Sequence, residues 1–188
     1  MAVATGVVDA AEATRNPYAL AFALFAHGFA FRDADPAAAL EALRRGLVIA
    51  RDSGIRGMES HLAGSLSHLE AGYGDPLTAL DYVTVAIRSY HDTGDTAVIH
   101  GAMGILASFL DRLGRYKPAA TIAGFAINPL TSTTFPEFNT AIAHLRDVLG
   151  DQTYESLARK GETMTTAAMT TYAYDQIDQA RTELEHPS

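Results

Sequence analysis

Cysteine and tryptophan are both absent from this chain. Without cysteine the protein has no disulfide framework, no thiolate metal ligand and no thiol nucleophile. Long apolar runs are missing as well: the longest, residues 18–31, has about 14 residues and contains His27, whereas a membrane-spanning helix needs about 20 apolar residues. The first 18 residues have neither a basic lead nor a long apolar stretch, which argues against a secretory signal. We therefore predict a cytoplasmic protein.

Several motifs that carry chemistry are also lacking. The chain has no GxxxxGK[ST] loop to cradle phosphates, no GxSxG elbow, and no two histidines spaced four apart as in HExxH. Its net charge is −8 and its isoelectric point about 5.2, so nothing attracts it overall to nucleic-acid phosphates or anionic membranes. We predict no catalytic residues, metal site or cofactor, and neither nucleic acid nor membrane as a partner.

One pattern occurs twice in the 188 residues, as DPAAALEALRRGLVIARDSG and, forty residues later, DPLTALDYVTVAIRSYHDTG. In each copy the aspartate is a good N-cap, and the proline stands at the first helical position, where its missing N–H costs nothing. Apolar residues then recur at helical spacing, and Gly54 and Gly94 follow as helix terminators. The two copies predict matched helices of about five turns.

Further helical patterns surround this pair, and together they predict the fold. Helices are expected at residues 17–31 and 56–71, then at 96–113 and 118–127, which gives helix–turn–helix units with a period near 40. No strand pattern occurs. We predict an all-α protein: a tetratricopeptide-like α-solenoid of about three helix–turn–helix repeats plus C-terminal capping helices.

The same pattern divides the chain into three segments. Residues 1–16 are expected to be a tail or the remnant of a preceding helix, and residues 17–128 the repeats. Residues 129–188 are expected to be a polar connector, PLTSTTF, followed by capping helices at about 136–149, 151–160 and 166–184. Atypical terminal helices would cover the open end of a repeat stack.

Four stretches carry a family resemblance: DPAAALEALRRGLVIARDSG, GDPLTALDYVTVAIRSYHDTGD, LDRLGRYKPAATIAGFA and LARKGETMTTAAMTTYA. They resemble the tetratricopeptide-like C-terminal helical region of bacterial LuxR-family regulators and cyclase-linked signal-transduction ATPases, over residues 7–185. Such proteins have a nucleotide-binding domain before this region and sometimes a DNA-binding domain after it. The motifs of those domains are not in this chain, so the resemblance implies only the sensor or interaction part, expected to be excised from a longer protein.

The histidines and aromatic residues are the remaining candidates for chemistry. His61 and His68 lie seven apart on one helix face, but converging zinc ligands are not evident, so structural or exposed roles are expected for the seven histidines. His27 is expected to be a core or inter-helix residue, hydrogen-bonded by a neighbour. The aromatic set spaced along the first repeat helix is expected to belong to the core. Its members are Tyr18, Phe22, Phe25 and Phe29.

A stack of helical repeats leaves open the groove lined by the first helix of each pair. The polar or ambivalent residues predicted to line it for a partner or ligand are His61, Ser65, His68 and Tyr73. A solvated helix face is the alternative for each of them.

Three functions remain open from the sequence. The first is a non-enzymatic scaffold, part of a signalling or transcriptional regulator, that binds a protein or peptide or another domain of its parent protein. The second is a sensor that binds a small effector between helix layers. The third is an unrecognised metal-dependent helical enzyme. A homodimer is also predicted, because a severed repeat stack exposes an apolar end; light scattering tests it.

Overall fold

The computed structural model describes residues 2–186, with side chains from residue 6 onward except at residues 96 and 97. About 86% is helical and no strand occurs in the described range, which confirms the all-α class. The helices of this range are α1 (Ala2–Ala13), α2 (Pro17–Phe31), α3 (Pro36–Asp52), α4 (Arg56–Tyr73), α5 (Pro76–Thr93), α6 (Thr96–Arg112), α7 (Tyr116–Ala126), α8 (Pro129–Thr134), α9 (Pro136–Leu149), α10 (Asp151–Glu162) and α11 (Thr166–Glu185).

The chain forms two compact units, Met1–Ser89 and Tyr90–Ser188, and the boundary falls inside α5. In the first unit α2 packs against α1, α3 and α4, and α3 also packs against α4. In the second unit α7 packs against α6, α9, α10 and α11. The predicted three-segment division of the chain stays a prediction.

The two Asp-Pro stretches begin helices of nearly equal length. Pro36 opens α3, which has 17 residues, and Pro76 opens α5, which has 18. In each case the preceding aspartate, Asp35 or Asp75, accepts a hydrogen bond from the backbone N–H three residues on, at 3.1 and 2.8 Å. The aspartate thereby satisfies one of the free N–H groups that every helix start presents.

Three helices, α3, α5 and α6, end in the same way. Each is followed by a glycine in the left-handed region, with φ of 67° at Gly54, 70° at Gly94 and 75° at Gly114. In each case the next residue donates its N–H to the carbonyl five positions back, at 2.8 to 2.9 Å. This is the Schellman arrangement, and glycine suits it because a Cβ is disfavoured at positive φ.

Small residues bring the helices of the first unit close together. A Cβ added at Gly28 of α2 would lie 2.5 Å from Leu43 Cγ, and one added at Gly46 of α3 would lie 2.9 Å from Leu62 Cδ2. The core that closes around these contacts is apolar and nearly inaccessible to solvent. Its members include Ala21, Ala39, Leu40, Leu43, Leu47, Ala50, Met58, Leu62, Leu66 and Leu69.

The closest approach in the second unit joins α7 and α10. A Cβ added at Gly124 would lie 1.9 Å from the carbonyl oxygen of Ala158, and one added at Gly161 would lie 1.8 Å from that of Thr121. Each helix therefore has a glycine that packs directly against the backbone of the other helix. No larger residue fits either position while the two helices keep this separation.

Two sequence expectations about local structure are wrong. The stretch after Asn128, predicted as a connector, forms the short helix α8, because Asn128 Oδ1 accepts the N–H of Thr131 at 2.9 Å and Pro129 occupies the first helical position. The aromatic stripe of α2, expected to belong to the core, is open to solvent in its first half, where Tyr18 and Phe22 are 55% and 51% exposed.

Candidate functional site

Helix α4 is covered on two of its three sides. One side carries Met58, Leu62, Leu66 and Leu69 into the core of the first unit. A second side faces α5, where Ser67 Oγ donates to the carbonyl of Ala79 at 2.9 Å and Ser60 Oγ donates to Ser89 Oγ at 2.5 Å. His61, Ser65 and His68 lie on the third side at i, i+4 and i+7 and are partly buried. The structure thus brings these three predicted site residues together.

Four aromatic side chains follow the open side of α2 at helical spacing. The ring centroids of Phe22 and Phe25 are 6.4 Å apart, and those of Phe25 and Phe29 are 6.0 Å apart. Tyr18 lies one turn before Phe22, and both are more than half exposed. The Phe25 ring lies 5.8 Å from the ring of His61, so the stripes of α2 and α4 are neighbours. We call this surface the α2–α4 face; its members are Tyr18, Phe22, Phe25, Phe29, His61, Ser65 and His68.

Charge is sparse on the α2–α4 face. Helix α2 has no Asp, Glu, Lys or Arg between Pro17 and Phe31. The guanidinium of Arg32 lies 4.0 Å from the Phe29 ring centre, and its Nε lies 3.7 Å from the carboxylate of Asp33. The face therefore offers aromatic carbon for burial, together with imidazole and hydroxyl groups that can donate and accept hydrogen bonds.

Tyr73, the fourth predicted site residue, is not brought together with the other three. It lies in the last turn of α4 and is 64% exposed. Tyr73 follows Leu62, Leu66 and Leu69 at the same helical spacing, but it lies one turn beyond the last of these core residues. Tyr73 is therefore outside the α2–α4 face.

Sequence reasoning missed Tyr18 and Phe22 as surface residues. Their spacing with Phe25 and Phe29 was recognisable, but a stripe of four aromatics at 3.6-residue period is typical of a core. The core of α2 is instead formed by residues on the adjacent side, Ala21, Leu24 and Gly28 among them. The sequence did contain one sign that the aromatic stripe could be exposed: α2 also carries a second apolar stripe. A helix with two apolar stripes cannot turn both of them toward the same neighbouring helix.

Several histidines have structural partners. His100 Nδ1 donates to the carbonyl of Phe125 at 2.8 Å, and the two rings stack at 4.6 Å. His144 Nδ1 lies 2.9 Å from the buried carboxylate of Asp111. The ring of His27 stacks on that of Phe31 with centroids 4.5 Å apart, and its Nδ1 is buried without a hydrogen-bond partner; the hydrogen bond expected for this residue stays a prediction for its other nitrogen. Within residues 2–186 no group of three or more His, Asp or Glu side chains is arranged to hold a metal ion.

Comparisons with known proteins were made at three levels: family models, curated proteins and solved structures. No family model, curated protein or solved structure matches the chain. None of the helices in residues 2–186 combines the length and the apolar character that a membrane crossing requires.

Proposed function

We propose that this chain is a non-enzymatic, tetratricopeptide-like interaction module of a bacterial signalling or transcriptional regulator, and that the α2–α4 face binds a peptide segment of a protein partner. The helices α3 and α5, with their equal starts and ends, support the repeat interpretation. The partner is either a separate protein or another domain of the parent regulator.

The observation that carries this proposal is the exposure of Tyr18 and Phe22. A large aromatic side chain buries 150–250 Å² when it is fully covered. Because Tyr18 and Phe22 are 55% and 51% exposed, a partner that covers them would remove about 100 Å² of apolar surface from water at each residue. At about 25 cal/mol per Å², each ring contributes about 2.5 kcal/mol to binding before ordering costs are subtracted.

The chemistry of the face defines the ligand. An amphipathic helix or an extended segment would place apolar side chains against the rings of α2. Polar groups on the same segment would meet His61, whose ring lies 5.8 Å from that of Phe25, and Ser65 and His68, which follow it on the same side of α4. A partner surface of high charge density fits poorly, because desolvated charges would find few counter-charges on this face.

The test is a selection of peptides from a random display library, followed by affinity measurements on defined variants. Phe22→Ala removes an exposed ring of the face, and His61→Ala removes the imidazole that contacts Phe25. Each is expected to weaken a selected peptide about tenfold or more, as the loss of a central aromatic contact does.

Val48→Ala is the matched control for exposed apolar surface. Val48 is 57% exposed on α3, in the same unit but outside the α2–α4 face. Its substitution is expected to leave the affinity unchanged. Peptides whose affinity is insensitive to both Phe22→Ala and His61→Ala, or sensitive to Val48→Ala, would contradict the proposal.

A further inference from the structure

A ridge of four exposed side chains runs along the outer side of α2. Tyr18, Phe22, Ala26 and Ala30 follow each other at intervals of four residues, and all four are exposed. Residues at this spacing form one of the ridges through which packed helices interlock. The two large side chains occupy the first half of the ridge and the two small ones the second half. We call these four residues the α2 ridge; its first half projects, and its second half leaves room for a neighbour.

This order of large and small side chains makes the α2 ridge complementary to itself. Consider two copies of α2 that lie antiparallel, with a two-fold axis at the level of Leu24. Phe22 of each copy then lies opposite Ala26 of the other. By the same register Tyr18 lies opposite Ala30. A two-fold axis repeats each contact, so both rings of either copy are placed over alanines of the other. Helices that interlock through such ridges cross at about 50° and are about 8–10 Å apart.

The distribution of charge also favours a second copy at this position. The chain has a net charge of −8, so two copies repel each other over most of their surface. Helix α2, however, contains no Asp, Glu, Lys or Arg. Beyond its two ends lie Arg15, which is exposed, and Asp33, whose side chain is 84% exposed. Arg32, next to Asp33, is only 16% exposed and stacks on Phe29. The antiparallel arrangement brings Arg15 of each copy near Asp33 of the other, so opposite charges meet at both ends.

The area of such a contact sets the strength to expect. Tyr18 and Phe22, which are 55% and 51% exposed, would each lose about 100 Å² of accessible surface. With the two alanines and the flanking residues, each copy would bury about 450 Å², which is about 900 Å² for the pair. Interfaces below about 1,200 Å² belong to weak and transient complexes. The dissociation constant expected for this contact is therefore roughly 10–100 µM.

From the shape, charge and area of the α2 ridge, we propose that it binds a second copy of this chain in an antiparallel two-fold dimer, and that this dimer closes the α2–α4 face to peptides. Tyr18 and Phe22 belong to both surfaces, so a second copy and a peptide cannot cover them at once. Self-association thereby lowers the concentration of chains that can bind a partner. This regulatory role rests on the proposed function, whereas the dimer itself does not.

Sedimentation velocity from about 2 to about 500 µM tests the dimer, because this range brackets the expected dissociation constant. The wild-type mass is expected to rise from one chain toward two. Phe22→Glu and Phe22→Lys each place two like charges beside the two-fold axis, so each variant alone is expected to stay monomeric. An equimolar mixture of the two is expected to dimerise again, because opposite charges then meet across the axis. Val48→Glu, which adds the same charge at an exposed apolar residue outside the ridge, is the matched control and is expected to dimerise like wild type.

A display-selected peptide tests the regulatory role in the same instrument. Its addition to the wild-type dimer is expected to give complexes that contain one chain. Circular dichroism of all variants verifies the fold. Three outcomes would overturn the proposal: a wild-type chain that stays monomeric throughout the range, a Phe22→Glu variant that dimerises as Val48→Glu does, or a mixture of the two Phe22 variants that stays monomeric. A peptide that binds without dissociating the dimer would overturn the regulatory role. A monomeric chain that still binds the peptide would refute the dimer and leave the proposed function standing.

Discussion

Replacing Gly124 or Gly161 with alanine tests the close contact between the backbones of α7 and α10. In helix α7 an added Cβ at Gly124 would lie 1.9 Å from the carbonyl oxygen of Ala158, and in α10 one added at Gly161 would lie 1.8 Å from that of Thr121. Contacts under 3.0 Å essentially never occur for a real Cβ, so each substitution forces the backbones apart by at least 1.1 or 1.2 Å.

The cost follows from what that separation does to the packing. A gap of 0.5–1 Å forfeits a quarter to a half of the dispersion energy between facing atoms. Helix α7 is buried along most of its length, so the whole contact is affected. We expect each substitution to lower the free energy of unfolding by about 3 kcal/mol, at the upper end for overpacking. At about 3 °C per kcal/mol, the melting temperature would fall by about 9 °C.

The assay is urea unfolding followed by circular dichroism, with the melting temperature as a second readout. Ser156→Ala is the control on the same helix, because Ser156 is exposed on α10 and its loss is expected to change stability by less than about 0.5 kcal/mol. Gly57→Ala is the control for glycine itself: an added Cβ there meets nothing within 4 Å, and we expect a gain of about 0.5 kcal/mol.

The double variant Gly124→Ala/Gly161→Ala makes the test sharper. One separation of α7 from α10 relieves both clashes, so the double variant should cost clearly less than the sum of the two single costs. Single variants with wild-type midpoints, or two costs that add fully, would refute the close backbone contact.

Two further predictions concern the first unit. Arg44→Ala should lower the free energy of unfolding by about 2 kcal/mol, because it removes the guanidinium that lies 2.5 Å from Glu70, a carboxylate only 2% exposed. Adding Glu70→Gln should recover part of this loss, as measured by urea unfolding. A double variant less stable than Arg44→Ala would contradict this. Hydrogen bonds from the Thr78 hydroxyl and N–H hold the pKa of Asp75 below its usual value, so its contribution is present above about pH 4 and is lost as the pH falls through the lowered pKa. Asp75→Ala should therefore be less stable than wild type at pH 7, with a difference that shrinks toward pH 2; a difference independent of pH would contradict this.

The helix starts and ends were predictable because their causes are local. An aspartate before a proline fixes the first turn of α3 and of α5, and a glycine at positive φ fixes the last. Helix α8 was missed although its cause is also local: Asn128 caps it and Pro129 opens it, but its six residues lack the apolar period that indicates a helix.

The contacts between helices were not predictable in the same way. Nothing local distinguishes Gly124 and Gly161, which meet the backbone of another helix, from Gly57, which meets nothing. The α2–α4 face shows the same limit. Sequence spacing grouped His61, Ser65 and His68 correctly on one side of α4, but only the packing of α2 shows that Tyr18 and Phe22 remain exposed.

The most direct test of the proposed recognition surface is an NMR titration of the isotope-labelled protein with a peptide selected from the display library. Peptide binding is predicted to shift the ring resonances of Tyr18, Phe22 and His61 and to leave the methyl groups of Val48 unchanged. Shifts that leave those three rings unchanged and cluster in residues 98–186 would contradict the account.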